Sequence, residues 1–148
     1  MKLVVQRVSA AVVKRKDTSE VVGQIEKGLF VLFCAEKGDS DQTVELMAKK
    51  LSKLRVLSGD ESGKMNRSVL DLKQEILLVS QFTLAADLSD GNRPSFLKAA
   101  EPTLALKMYN DFVGKLKDVG IGVQTGSFGN YMEISVELDG PVTIIINS

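Results

Sequence analysis

Hydrophobic positions come in short clusters at the start of the chain and at helical spacing further on. Leu3-Val4-Val5-Gln6-Arg7-Val8 and Ala10-Ala11-Val12-Val13 are β-rich. The polar stretch 14–20 reads as a hairpin tip before Val21-Val22-Gly23-Gln24-Ile25, and Gly28 precedes the apolar run 29–35, a buried-strand candidate. After the turn Gly38-Asp39-Ser40-Asp41, Val44, Met47, Ala48, Leu51 and Leu54 fall on one helical face, with Ser40 or Asp41 as the N-cap. Residues 60–66, with Gly63, read as loop, and 75–82 as a strand ending in Ser80-Gln81-Phe82-Thr83. A long loop, 87–95, carries Gly91 and Pro94; a second long helix spans 103–119 and closes at Gly120. Strands 132–138 and 142–146, joined at Asp139-Gly140-Pro141, finish the chain.

Groups of strands separated by two helices predict an α/β domain, α+β-like in its order, with a mixed, largely antiparallel sheet and the helices covering one side. No linker, low-complexity tract or internal repeat divides residues 1–148, so a single domain is expected.

Composition narrows the chemistry. Nineteen basic residues balance nineteen acidic ones, so contact with a nucleic acid has to come from local clustering rather than a basic bulk field. Lys49, Lys50 and Lys53 lie on or near the polar side of the first predicted helix, and read alone they are a solvated face, with a phosphate-facing patch as the alternative. The single cysteine, Cys34, lies in the apolar run 29–35 and reads as a small core residue. One cysteine allows no disulfide within the chain, which suits a reducing compartment. Residues 1–7 lack the charged start, apolar stretch and cleavage site of a secretory signal, and no apolar run approaches the ~20 residues of a membrane span. The expectation is a cytoplasmic protein. Histidine is absent, which excludes a Ser-His-Asp or Cys-His triad and a His-rich zinc site. Catalysis is left to carboxylates, lysine, hydroxyls, backbone dipoles or the substrate itself.

Several polar or glycine-containing stretches could carry chemistry, although each alone is an ordinary turn or core segment. Ser80-Gln81-Phe82-Thr83 places two hydroxyls and an amide where a strand leaves the sheet. Asp139-Gly140-Pro141 reads locally as a hairpin turn. Gly91-Asn92-Arg93-Pro94-Ser95-Phe96 adds a cation and an aromatic ring to a loop. Gln124-Thr125-Gly126-Ser127-Phe128, with Met132, sets an apolar pair beside a glycine.

Taken in order, Gln6-Arg7-Val8, Gly63-Lys64-Met65-Asn66, Ser80-Gln81-Phe82-Thr83-Leu84-Ala85-Ala86-Asp87, Arg93-Pro94-Ser95-Phe96, Gln124-Thr125-Gly126 and Gly140-Pro141-Val142-Thr143 resemble the D-aminoacyl-tRNA deacylase family over essentially the whole chain. Two features depart from its pattern: Leu138 stands where the family often has Asn, and the first hairpin, around 16–20, is slightly long. The resemblance implies a barrel-like sheet with two long helices and a homodimer whose active site lies at the subunit interface. It also implies a cis Gly140-Pro141 pair that reaches into the partner's pocket as a chirality gate. Ser80, Gln81, Phe82 and Thr83 would surround the scissile ester, Phe128 and Met132 would lie near the terminal adenosine, and Arg7 would brace the Gly-Pro segment. The implied partner is the acceptor end of D-aminoacyl-tRNA, with neither metal nor organic cofactor.

Thr83 as a covalent nucleophile would need a base, and the chain offers no histidine. Hydrolysis assisted by the substrate's ribose 2′-hydroxyl, with backbone N–H groups near Phe82 and Thr83 stabilising the oxyanion, is the favoured alternative. Two rival readings stay open. One is an editing esterase with another aminoacyl preference, which Leu138 keeps in play. The other is a non-catalytic homodimeric module that binds a small ligand in the same pocket.

Overall fold

A computed structural model of the protein describes residues 1–60 and 63–148. Six strands and two helices follow the order β1 (Lys2–Arg15), β2 (Val21–Ile25), β3 (Gly28–Cys34), α1 (Asp41–Ser52), β4 (Glu75–Ser80), α2 (Pro102–Asp118), β5 (Val123–Thr125) and β6 (Met132–Asn147). The sheet runs β2-β1-β3-β4-β5, with β6 also paired to β1. Contacts between β1, β2, β3 and β6 are antiparallel, whereas β3-β4 and β4-β5 are parallel. The predicted mixed sheet is therefore present, curled into a near-barrel.

The sheet is apolar on both faces because its strands supply two sets of alternating side chains. Leu29, Val31 and Phe33 of β3 and Ile76 and Leu78 of β4 join the core under the helices. Phe30, Leu77 and Val79, on the alternate positions, join a second core inside the curl with Val8, Ala11, Val13 and Ile25. β1 serves both. Leu3 and Val5 face the helices and Val8 faces the inner core by ordinary alternation, and the one-residue irregularity between Val8 and Ala10 brings Ala11 and Val13 to the inner core as well. A bulge adds one residue to a strand of period two, so the side chains that follow change face. This explains why Ser9 interrupts the hydrophobic pattern without ending the strand.

The helices cover one face of the sheet. Ser40 caps α1: its Oγ accepts from Thr43 N–H at 3.3 Å, and Thr43 Oγ1 accepts from Ser40 N–H at 3.2 Å. Val44, Met47, Ala48 and Leu51 are buried, as the spacing predicts. α2 begins at Pro102, where a missing N–H costs nothing, and stops before Gly120, whose φ is +89°.

Three expectations need correction. Asp139-Gly140-Pro141 is not a hairpin turn: β6 pairs with β1 on both sides of it, from Arg15↔Met132 to Val8↔Leu138 and from Gln6↔Thr143 to Lys2↔Asn147, with 139–142 as an irregular step between, and the Gly140-Pro141 bond is cis. Strand 75–82 ends at Ser80, and Phe82–Ala85 forms a single 3-10 turn. Val123–Thr125 is a strand too short for periodicity to announce. The loop predicted over 60–66 includes Glu61 and Ser62, which lie outside the described residues.

Two glycines give opposite expectations. A Cβ on Gly23 would stand 2.5 Å from Thr125 O and 2.9 Å from Leu77 Cδ1, where β2 closes against β5. Gly23→Ala should therefore destabilise by roughly 1–3 kcal/mol, the usual cost of overpacking. Gly114, inside α2, has nothing within 4 Å of the same position, and Gly114→Ala should stabilise by roughly 0.8–1 kcal/mol through helix propensity. Denaturant unfolding of the two variants checks both signs.

Candidate functional site

β4 lies between β3 and β5 and is apolar and buried from Ile76 to Val79. Its polar groups emerge only where it leaves the sheet. Gln81 N–H still donates to Phe33 O at 2.7 Å. The chain then turns: Leu84 N–H returns to Gln81 O at 3.2 Å and Ala86 N–H to Thr83 O at 3.1 Å. The first N–H groups of such a turn have no partner within it. Those of Phe82 and Thr83 have no acceptor among the described residues. Gln81 Nε2 donates to Thr83 Oγ1, fixing the amide over the hydroxyl.

Beside this turn lies an apolar cavity of ≈ 330 Å³. Phe33, Ala100, Ala105 and Phe128 form its walls, with Ser80, Gln81 and Phe82 along the polar side. The Phe82 ring is 58% exposed and meets Phe96 edge-on at 5.1 Å. Phe96 follows a loop whose ends are tied by Asp87 N–H to Ser95 O at 2.8 Å and by the Lys98–Asp87 ion pair at 2.8 Å. The hydrogen bond from Lys98, helped by that from Ser89 N–H, holds the Asp87 carboxyl well below the usual carboxylate range. Cys34 also lines the cavity, but its thiol is buried and burial pushes its pKa up, so it is a wall and not a nucleophile.

Tyr109 supports the cavity from below and belongs to none of the motifs in the sequence. Its Oη donates to Leu78 O at 2.7 Å, and its ring lies 5.6 Å from Phe33 and 5.8 Å from Phe128. Burial drives the phenol's pKa above its ordinary value. The available signal is a tyrosine on the same helical face as Met108, Phe112 and Leu116, since a hydroxyl on an apolar stripe needs a buried acceptor. The alanines and Pro102 in the cavity wall have no signal, because apolar lining residues look like core.

The structure brings Ser80, Gln81, Phe82 and Phe128 to one cavity, with Thr83 exposed at its lip. Met132 stands elsewhere. It packs against the inner core with Val79, its Sδ accepts from Ser127 N–H at 3.2 Å, and a Cβ on Gly126 would lie 2.8 Å from that sulfur. Met132 thus reaches the cavity only by shaping the Gly126–Phe128 turn.

Arg7, Gly140 and Pro141 form a separate group. Arg7 Nε donates to Asp139 O at 3.0 Å and lies 3.1 Å from Asp139 Oδ2, while Nη1 donates to Val56 O at 3.1 Å. Ser80 is opposite Phe33, Phe33 opposite Leu3 and Leu3 opposite Ile146. Three strand spacings of ~4.8 Å therefore separate Ser80 from β6, and Pro141 lies a further ~17 Å along that strand. Within one chain the two groups do not meet.

Among the described residues, no group of three or more His, Cys, Asp or Glu is placed to hold a metal ion, and no helix is long and apolar enough to cross a membrane.

Fold and site define a mixed-sheet α/β domain whose cavity, at the carboxyl end of a buried parallel strand, is edged by backbone N–H groups, hydroxyls and an amide. The family of D-Tyr-tRNA(Tyr) deacylases matches residues 4–147. A D-aminoacyl-tRNA deacylase of Geotalea uraniireducens is 49% identical over 148 residues, covering 100% of this chain and 94% of the relative. One of Variovorax paradoxus is 51% identical over 145 residues, covering 97% of each. A solved structure of the c-Myc DNA Unwinding Element Binding Protein is 40% identical, with a TM-score of 0.92 over 100% of this chain and 99% of that one. The chain belongs to the D-Tyr-tRNA(Tyr) deacylase family.

Replacing Tyr109 by Phe removes one buried hydrogen bond and should cost about 1 kcal/mol near neutral pH. The pH dependence has a defined sign. Above ~10 the unfolded phenol loses its proton while the native one, with its raised pKa, retains it, so stability falls as pH rises through that range. Thermal unfolding between neutral and alkaline pH should show a steeper alkaline loss in the wild type than in Tyr109→Phe. Parallel curves would remove Tyr109 from that dependence.

Proposed function

We propose that this protein hydrolyses the ester of D-aminoacyl-tRNA, releasing a D-amino acid and free tRNA, and that a glycyl ester is accepted as well. The observation that carries the reading is the unpaired pair of N–H groups at Phe82 and Thr83, at the lip of an apolar cavity in a chain that matches the deacylase family along its length. Water adds to the ester carbonyl and its carbon–oxygen bond to the ribose breaks. The departing 3′-oxygen takes a proton, and the neighbouring 2′-hydroxyl assists the transfer. The two N–H groups face the developing oxyanion, each worth roughly 3–4 kcal/mol in comparable sites. The terminal adenosine lies against Phe128. Ser80, Gln81 and Thr83 orient the ester and the α-amino group.

Selection by handedness belongs to the Gly140-Pro141 segment of a second copy. Backbone held close to the α-carbon would clash with an L side chain and leave a D side chain pointing outward. Glycine has nothing to clash. The second copy is motivated by β6, which among the described residues pairs only with β1 and carries Leu138 at 50% and Ile145 at 67% exposure. A long strand with one free edge is a template for association. Arg7, bonded to both Asp139 and Val56, holds the gate segment from behind.

Purified, metal-free protein should hydrolyse D-tyrosyl-tRNA rapidly and leave L-tyrosyl-tRNA intact in a matched assay. Loss of neither ester, with a small ligand still bound, would favour a binding module. A faster reaction with glycyl- or L-alanyl-tRNA than with D-tyrosyl-tRNA would favour an editing esterase of different preference. Thr83→Ala should retain measurable turnover, because the reaction as proposed needs no covalent threonine. Complete loss with unimpaired tRNA binding, together with an acyl-enzyme trapped in the wild type, would assign Thr83 the nucleophilic role.

A further inference from the structure

We infer that Lys49, Lys50 and Lys53 form a phosphate-binding surface for the body of the RNA substrate, supplied by the same subunit that supplies Gly140-Pro141. The inference rests on the deacylase reading. Several other cations already have a carboxylate. Lys2 meets Glu36, Arg7 meets Asp139, Lys98 meets Asp87, and Lys107 meets both Asp41 and Asp111. Lys49, Lys50 and Lys53 are exposed at the end of α1, and none forms an ion pair among the described residues.

Their spacing sets them together. Lys53 is four residues from Lys49 and three from Lys50, so its stem rises between theirs, about 5–6 Å from each. Like charges at these spacings repel. A helix C-terminus favours cations, which offsets part of that cost, but the dipole does not require three in one patch. A polyanion does.

The position of the cluster adds the second half of the inference. Lys53 is three residues before Val56, whose carbonyl is bonded to the same Arg7 that holds Asp139. The cluster thus stands at the Gly140-Pro141 end of its chain, away from that chain's own Ser80–Phe82 cavity. Where the Gly140-Pro141 segment of one copy closes the other copy's cavity, the three lysines flank that cavity from outside. They reach past the terminal nucleotide, where phosphates of the acceptor stem run.

The test compares wild type with a Lys49→Gln/Lys50→Gln/Lys53→Gln variant, since glutamine preserves helix propensity while removing charge. Two substrates are used: D-tyrosyl-tRNA and the D-tyrosyl ester of adenosine, which has no stem. For the tRNA, kcat/KM should fall about tenfold at physiological salt, and its log–log salt dependence should become shallower by about 2–3, near 0.9 for each phosphate that is no longer neutralised. Hydrolysis of the adenosine ester should not change. An unchanged salt slope, or an equal loss on both substrates, would overturn the inference. If wild type hydrolyses neither substrate, the deacylase reading fails by itself. The cluster is then judged by the salt slope for binding uncharged tRNA, where equal slopes in wild type and variant would overturn it.

Discussion

Everything in this domain depends on the burial of β4. The strand is hydrogen-bonded on both edges and packed on both faces, by the core beneath the helices and by the core inside the curl. A strand in that position cannot leave a backbone donor unpaired without a cost of roughly 1–3 kcal/mol. The first donors free to act are therefore those where the chain escapes, after Gln81 has made its last bond to β3. The donors of the proposed oxyanion site, Phe82 and Thr83 N–H, are the first beyond that bond. Tyr109 extends the same logic by bonding to Leu78 O from the helical side, which ties the cavity floor to α2.

At the other end of the sheet the constraint is reversed. β6 has one paired edge and one free edge, and its outward side chains include isoleucine and leucine with substantial exposure. A stable solitary domain would normally blunt such an edge with charge, proline or a covering element. Here the proline is present, but it sits in the segment held forward by Arg7. Edge and segment make physical sense together if both meet another copy. Ser80 and Pro141 are separated along the sheet, so the proposed site takes one part from each of two copies.

The sequence displays periodic features well. Both helices, the Ser40 cap and the Gly120 stop follow from spacing and capping chemistry, and the buried strands 29–35 and 75–80 follow from unbroken apolar runs. It conceals features that break periodicity for a reason of packing. Ser9 breaks the alternation of β1 because a one-residue bulge there sets Ala11 and Val13 on the same inner core as Val8. Gly140-Pro141 looks like a hairpin because glycine and proline most often make turns, and only the pairing of both flanks with the same strand, β1, shows that the chain bulges here and does not reverse. β5 has three residues, too few for any pattern. Within the site, the polar mouth is legible through the family resemblance, since hydroxyls at the end of a strand read alone as ordinary loop caps. The cavity walls are not, since Ala100, Ala105 and Phe33 are chosen for shape alone. Met132 illustrates the remaining gap: its place near Phe128 in sequence conceals that it lies on the opposite face of the sheet.

The absence of histidine gives this arrangement its character. Two backbone donors acting together, at roughly 3–4 kcal/mol each, amount to a rate factor on the order of 10⁴–10⁶, since each 1.36 kcal/mol is tenfold. For an aminoacyl ester, which is already labile, that magnitude is enough without a strong side-chain base. A site built from main-chain groups also resolves an apparent conflict in selectivity. Side-chain recognition would tie the enzyme to particular amino acids. Backbone positioned near the α-carbon can discriminate by handedness alone and ignore what lies beyond it. In the proposed reading the specificity resides in the path of two backbone segments, and the fold holds each of them: one by the buried strand that precedes it, the other by an arginine bonded on two sides.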